Sequence, residues 1–145
     1  MRLVVDANIL FNFFNHRSKT IEFLLLEYLE LFAPEFALKE INKMSDLLKK
    51  KCKISNKEFN IMIGDIPLEI YFTPKDQYSM VWDKAEKICG DPDDIDYLAL
   101  ALKLNVPLWS NDKKLAEQQQ VEVLSTLDII QHPKFKKLFV EEKVL

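Results

Sequence analysis

The sequence predicts an α/β domain built on a parallel sheet of about five strands, with helices on both faces. Three observations point there. Short, wholly apolar runs such as Leu3-Val4-Val5 recur along the chain, and strands buried on both faces read that way. Segments of helical period separate those runs, which is the order that parallel crossover connections need. Finally, 145 residues with 48% hydrophobic and 30% charged side chains suit one domain with a substantial core and exclude a disordered tail.

Taken in order, residues 2–5 form the first strand, which ends abruptly at Asp6. Residues 8–14 make a short apolar helix or turn. Ser18 or Thr20 suits the cap of a helix running to Glu30, with Ile21, Leu24, Leu25 and Tyr28 along one side. Residues 29–33 are the second strand. Pro34 fits the first turn of a helix, where its missing N–H has no partner to lose, and Phe36, Ala37, Ile41, Met44, Leu47 and Leu48 line one face of that helix. Ser55 opens the next helix, with Glu58 at the third position in a capping-box pattern. Residues 67–72 are the third strand, closed by Thr73-Pro74, and residues 75–88 a helix stopped at Gly90. Asp91-Pro92 begins a helix to about Leu104. Residues 106–109 and 121–124 are the fourth and fifth strands, with a short helix at 112–119 between them. The domain spans residues 1–125; residues 126–145 form a C-terminal extension, basic around Lys134–Lys137, packed on the domain or trailing it.

Composition narrows the function without deciding it. With 20 basic and 23 acidic residues the net charge is −3, too acidic for a general nucleic-acid coat but compatible with an enzyme that clusters carboxylates. Cys52 and Cys89 are too few and too isolated for a disulfide framework or a zinc site, so free thiols are expected. No apolar run approaches the roughly 18–20 residues that cross a bilayer, and no leader-like segment is found; a cytoplasmic protein with no membrane association is expected.

Four acids occupy positions that packing does not explain. Asp6 ends the first strand and Asp112 follows the fourth, and ligands of open α/β sheets bind beyond the carboxyl ends of strands. Both also suit capping of the segment that follows. Asp94 is different, because Leu98, Ala101 and Leu102 lie four, seven and eight residues on, which places Asp94 at the head of the core-facing stripe. Glu40 stands in the stripe of Phe36, Ala37 and Met44, although Lys43 offers it an ordinary surface pair. Asp91 and Asp93 read as helix-start acids, and Asp96, about 200° around the helix from Asp94, as solvated. Carboxylates gathered together repel unless a cation neutralises them. Oxygen ligands without Cys or His partners suit Mg²⁺ or Mn²⁺, and such a site suits phosphodiester hydrolysis.

The ordered set Val4-Val5-Asp6-Ala7-Asn8-Ile9-Leu10, then Glu40, then Asp91-Pro92-Asp93-Asp94 followed by Leu98-Ala99-Leu100-Ala101, then Leu108-Trp109-Ser110-Asn111-Asp112 resembles the PIN-domain family. That family comprises metal-dependent ribonucleases, the VapC-type toxins of toxin–antitoxin pairs among them. The likeness runs from about Arg2 to Leu124. It implies a three-layer α/β/α sandwich in which Asp6, Glu40, Asp94 and Asp112 are catalytic and hold one or two Mg²⁺ or Mn²⁺ ions, with Asp91 as a further metal candidate. Asn8 and Ser110, beside these acids, are candidates to orient a ligand, and Lys113 and Lys114 to contact substrate phosphate. The stretch between Glu40 and Asp94 is longer than in the shortest toxins, and the tail continues past the usual domain end.

The activity expected is therefore endonucleolytic cleavage of single-stranded RNA. An antitoxin partner and a homodimer, formed through residues 8–14 and the helix at 20–30, are expected alongside it. Phe11, Phe13 and Phe14 beside Asp6 suit base stacking, but core or dimer packing is the commoner use of such side chains. Lys49, Lys50, Lys51, Lys53 and Lys57 form a run that ordinarily reads as solvated surface. A receiver-type phosphoacceptor domain needs an acid pair beside its first strand, and a haloacid-dehalogenase-like phosphatase needs an acid two residues after the nucleophile, where this chain has Asn8. A catalytically silent PIN-type module that binds RNA or protein is the alternative that shares the same residues.

Overall fold

A computed structural model describes residues 1–15 and 29–133. Most of the helix expected to end at Glu30, and the basic run Lys134–Lys137, lie outside those residues. Among the described residues there are five strands: β1 (Arg2–Val5), β2 (Glu30–Pro34), β3 (Ile70–Thr73), β4 (Leu108–Trp109) and β5 (Val123–Leu124). They form one all-parallel sheet in the order β3-β2-β1-β4-β5. Register places Leu3 beside Leu31 on one side of β1, and Val5 beside Trp109 on the other. Successive side chains of a strand face opposite ways, and Leu3, Val4 and Val5 are all fully buried, so both faces of the sheet are covered. This is the three-layer α/β/α sandwich.

The described helices are α1 (Ala7–Phe11), α2 (Phe36–Lys43), α3 (Ser45–Cys52), α4 (Asn56–Glu69), α5 (Trp82–Ile88), α6 (Ile95–Leu104) and α7 (Thr126–Gln131). α6 packs across β1, β2 and β4, and its residues Ile95–Ala101 are buried without a break. α4 starts with the capping box read from the sequence, in which Ser55 Oγ accepts from the Glu58 N–H at 3.1 Å. α7 is tied to the sheet through Thr126, whose Oγ1 accepts from Trp109 Nε1 at 3.1 Å and whose N–H donates to Asn111 Oδ1 at 2.8 Å.

Several boundaries differ from the sequence reading. Pro34 is the last residue of β2 and lies opposite Thr73, a strand end where a missing N–H is tolerated; the helix starts later, at Phe36. That helix is broken at Met44 into α2 and α3. Pro67 does not open a strand. It sits in the last turn of α4, where Ile66 still fills the core, and β3 starts only at Ile70. Residues 75–81 form two 3₁₀ turns ahead of α5, and Pro92–Asp94 is another ahead of α6. The helix expected at 112–119 shrinks to the 3₁₀ turn Leu115–Glu117.

Asp96 is buried, not solvated. It is 7% exposed and accepts a hydrogen bond from Tyr78 Oη at 2.6 Å. The segment before α5 covers the side of α6 that the helical period alone assigns to solvent. Tyr78→Phe removes this donor from a buried carboxylate and should lower stability by about 1–3 kcal/mol in urea unfolding. The exposed Lys84→Ala should change it by less than about 0.5 kcal/mol. An unchanged midpoint for Tyr78→Phe would show that the pair does not hold the two segments together.

Candidate active site

The site lies at the carboxyl ends of β1 and β4, which are adjacent although about a hundred residues apart in sequence. Asp6 follows Val5 directly and is 5% exposed. Its side chain makes no capping bond to α1. Instead Asp6 Oδ2 accepts from Ser110 Oγ at 2.7 Å. Ser110, 2% exposed, accepts in turn from the Asp112 N–H at 3.1 Å, so one hydroxyl holds both acids in place. Asp112 Oδ1 accepts from the Lys114 N–H at 2.9 Å, so this residue does cap its own turn, as the simpler reading allowed.

Glu40 and Asp94 come from the helices. Glu40, on α2, is half-buried, and its Oε1 accepts from Tyr97 Oη at 2.6 Å. Tyr97 is 1% exposed and stands three residues after Asp94, so α6 supplies both a site acid and the tether of another. The Glu40–Lys43 surface pair does not form: among the described residues the ion pairs are Arg2–Glu30 and Asp46–Lys49. Asp94 occupies the N-cap position of α6 with no side-chain capping bond.

Electrostatics join these four acids. Burial pushes the Asp6 carboxyl above the ordinary range; the Ser110 bond opposes this, and the charge of Asp112 adds to it. Burial also raises Glu40, against the pull of the Tyr97 hydrogen bond, with Asp6, Asp93 and Asp96 adding repulsion. Asp94 is pushed up to about 6, first by burial and then by Asp6, Asp91, Asp112 and Glu40. Asp94 therefore lies within the fields of the other three, and Asp6 within reach of both Asp112 and Glu40. They do not close into a ready cage: among the described residues, no three Asp, Glu, His or Cys side chains are grouped tightly enough to hold an ion as they stand.

An open cleft of about 710 Å³ adjoins the acids, its wall including Cys89, Asp91, Asp94, Leu98, Asp112 and Lys114. Asp6 and Glu40 lie outside that wall. Asp91 is exposed and its Oδ1 accepts from the Asp93 N–H at 3.0 Å, the capping role; its carbonyl accepts from Cys89 Sγ at 2.7 Å. Asn8 is exposed on α1, and its carbonyl accepts from Asn12 Nδ2 at 3.3 Å. Lys113 and Lys114 are both exposed, but only Lys114 borders the cleft. Phe14 is fully buried and stacked on Phe59 at 5.1 Å, a core use and not a base platform. Tyr97 is the site residue that sequence reading missed. Its signal was a buried tyrosine in an apolar helix, whose hydroxyl needs a partner.

The fold and this group of acids define an α/β protein with an acidic site at the sheet's topological switch point. The sequence pattern of the PIN domain matches residues 4–130, and the chain belongs to that family. Among solved structures it is similar to a chain of VapBC2 from Rickettsia felis, determined bound to a DNA fragment from their promoter. Identity is 15%, the TM-score is 0.63, and the match covers 86% of this chain and 98% of that one. No curated protein matches the sequence.

The raised Asp94 makes stability depend on pH. The unfolded chain releases this proton near pH 4, the folded chain near pH 6. Ionisation therefore costs the folded state more, and stability from this residue is present below about pH 4 and lost as pH rises through about 6. Asp94→Asn abolishes that loss. In EDTA, the melting temperature of Asp94→Asn relative to wild type should climb between pH 4 and pH 7. With half exposure screening the repulsion to about 1 kcal/mol, the gain is roughly 3 °C. A flat difference across that range would mean the acids do not repel in the folded chain.

Proposed function

We propose that this PIN-domain protein is a metal-dependent endoribonuclease that hydrolyses phosphodiester bonds of single-stranded RNA. The observation that supports it best is the mutual repulsion of Asp6, Glu40, Asp94 and Asp112 beside an open cleft, an arrangement that a divalent cation would relieve. The donors are all carboxylate oxygens, which suits Mg²⁺ or Mn²⁺. Such ions are ordinarily held by one or two carboxylates with water completing the shell, so an open arrangement of acids fits them better than a closed cage would. When bound, the ion supplies charge at the scissile phosphate and makes water a stronger nucleophile.

The chain's own residues divide the remaining work. Ser110 holds the Asp6 carboxylate in place at the end of β1. Tyr97 holds one oxygen of Glu40 and leaves the other for the site. Lys114, at the cleft wall, and Lys113 beside it meet substrate phosphate as point charges. Asp91 lies near enough to raise Asp94 and joins the metal set as its outer member. Asn8 meets the substrate from α1. A protein antitoxin and a homodimer belong to the same reading; the likeness to VapBC2 supports the first, and sedimentation of the purified chain tests the second.

The experiment is cleavage of a fluorescent single-stranded RNA with Mn²⁺ or Mg²⁺, with EDTA, and with Asp6→Asn and Asp94→Asn. Cutting should require the metal and fall at least about a hundredfold in each variant. Metal-dependent cutting that survives both substitutions would place the active site elsewhere. RNA binding with no cutting under any condition would favour the silent binding module.

A further inference from the structure

The turn between α3 and α4 gathers positive charge where stability alone would not place it. Lys50, Lys51, Lys53 and Lys57 are all exposed, and the segment 49–57 contains no acid. Lys49 differs from them. It is half-buried, its Nζ donates to Asn56 Oδ1 at 2.6 Å, lies 3.5 Å from Asp46 Oδ1, and stands 5.6 Å from the centre of the Phe59 ring. It holds the turn together, while none of the other four is ion-paired with a carboxylate among the described residues.

Lys50 and Lys51 suit the C-terminal turn of α3, where cations meet the negative end of the helix dipole. Lys53, the C-cap of α3, shares that position only at a cost to its backbone, and Lys57 does not share it at all. Lys53 has φ 55° and ψ 46°, a left-handed conformation in which glycine is preferred and side chains are disfavoured. Lys57 lies in the first turn of α4, at the positive end of that helix dipole. Four like charges within eight residues also repel one another. The side chains between them are polar, apart from the half-buried Cys52 and the buried Ile54. Residues 49–57 contain no aromatic residue and no arginine to anchor a protein partner, whereas lysines as point charges suit a phosphate backbone.

The turn is joined to the active site by packing. Lys49 lies over Phe59, Phe59 stacks on Phe14, and Phe14 ends the short helical segment that begins immediately after Asp6.

We propose that Lys50, Lys51, Lys53 and Lys57 form a contact surface for the phosphates of single-stranded RNA outside the cleft, an inference that rests on the ribonuclease reading. The enzyme then grips a strand longer than the step it cuts, and short RNAs bypass the grip.

The test uses the full chain carrying Asp6→Asn, so that RNA is bound without being cut. Binding is measured for single-stranded RNAs of roughly 20 and roughly 4 nucleotides over a range of salt. Changing all four lysines to Gln should weaken the longer RNA at least about tenfold. It should also flatten the plot of log affinity against log salt by about 2–3, since each phosphate contact contributes about 0.7. The shorter RNA should show neither effect. Lys53→Gly keeps the test independent of folding: it relieves the left-handed backbone, and so should raise the melting temperature while lowering affinity for the longer RNA.

Equal affinity and salt slope in the four-lysine variant would overturn the proposal. So would unchanged RNA binding with loss of a co-purifying acidic protein, which would assign the surface to that partner. Failure of the unsubstituted chain to bind or cut any RNA would remove the ribonuclease reading and the proposal together. Metal-dependent cutting with a salt slope unaffected by the four substitutions would remove the lysine surface alone.

Discussion

The position of β1 at the centre of the sheet constrains everything around it. Its three consecutive buried residues cannot be satisfied by one covered face, so helices must pack on both sides. The chain leaves β1 toward β2 and β3 on one side and later fills β4 and β5 on the other. Connections therefore diverge between β1 and β4, and a crevice opens at their carboxyl ends. Asp6 and Ser110 are the residues that follow those two strands. Their 2.7 Å hydrogen bond spans 104 positions of sequence and exists because Val5 and Trp109 are paired one residue earlier.

The helices add acids to that crevice by a second constraint. α6 packs across β1, β2 and β4, so its N-terminus, with Asp94, is carried to the site, while Tyr97 one turn on reaches Glu40 on α2. Burial first and then the charges of four neighbouring acids push Asp94 up to about 6, so each acid brought in adds to a cost that desolvation begins. Such repulsion is not a device for stability. The fold tolerates it because Asp6, Asp94 and Asp112 sit at strand ends and a helix start, Glu40 is only half-buried along α2, and the cleft opens beside Asp94 and Asp112.

Much of this was legible in the sequence, and the remainder was not for identifiable reasons. Consecutive apolar residues in β1 marked a doubly covered strand, and Asp94 and Glu40 stood out because each interrupted an apolar stripe. Asp96 was misread because helical period gives an angle, not a neighbour: Ile95–Ala101 are buried all round, and Tyr78 arrives from an irregular segment that no period announces. Pro34 and Pro67 misplaced boundaries because proline is tolerated at a strand end and in a last helical turn as well as in a first. Tyr97 was missed because a tyrosine in an apolar helix signals a need for a partner without naming it, and that partner, Glu40, lies 57 positions away.

The two buried tyrosine–carboxylate pairs show how similar geometry serves different ends. Tyr78–Asp96 and Tyr97–Glu40 have the same 2.6 Å separation, and both join α6 to another segment. Asp96 is 7% exposed, so its charge is enclosed and its bond ties the segment before α5 to the core. Glu40 is only half-buried, and its bond orients a carboxylate that remains open to the site. Burial of the acceptor, not the strength of the bond, separates the pair enclosed in the core from the pair at the candidate site. The same distinction explains why the net charge of −3 was uninformative: it averages a set of partly buried acids over a group of exposed lysines at the α3–α4 turn.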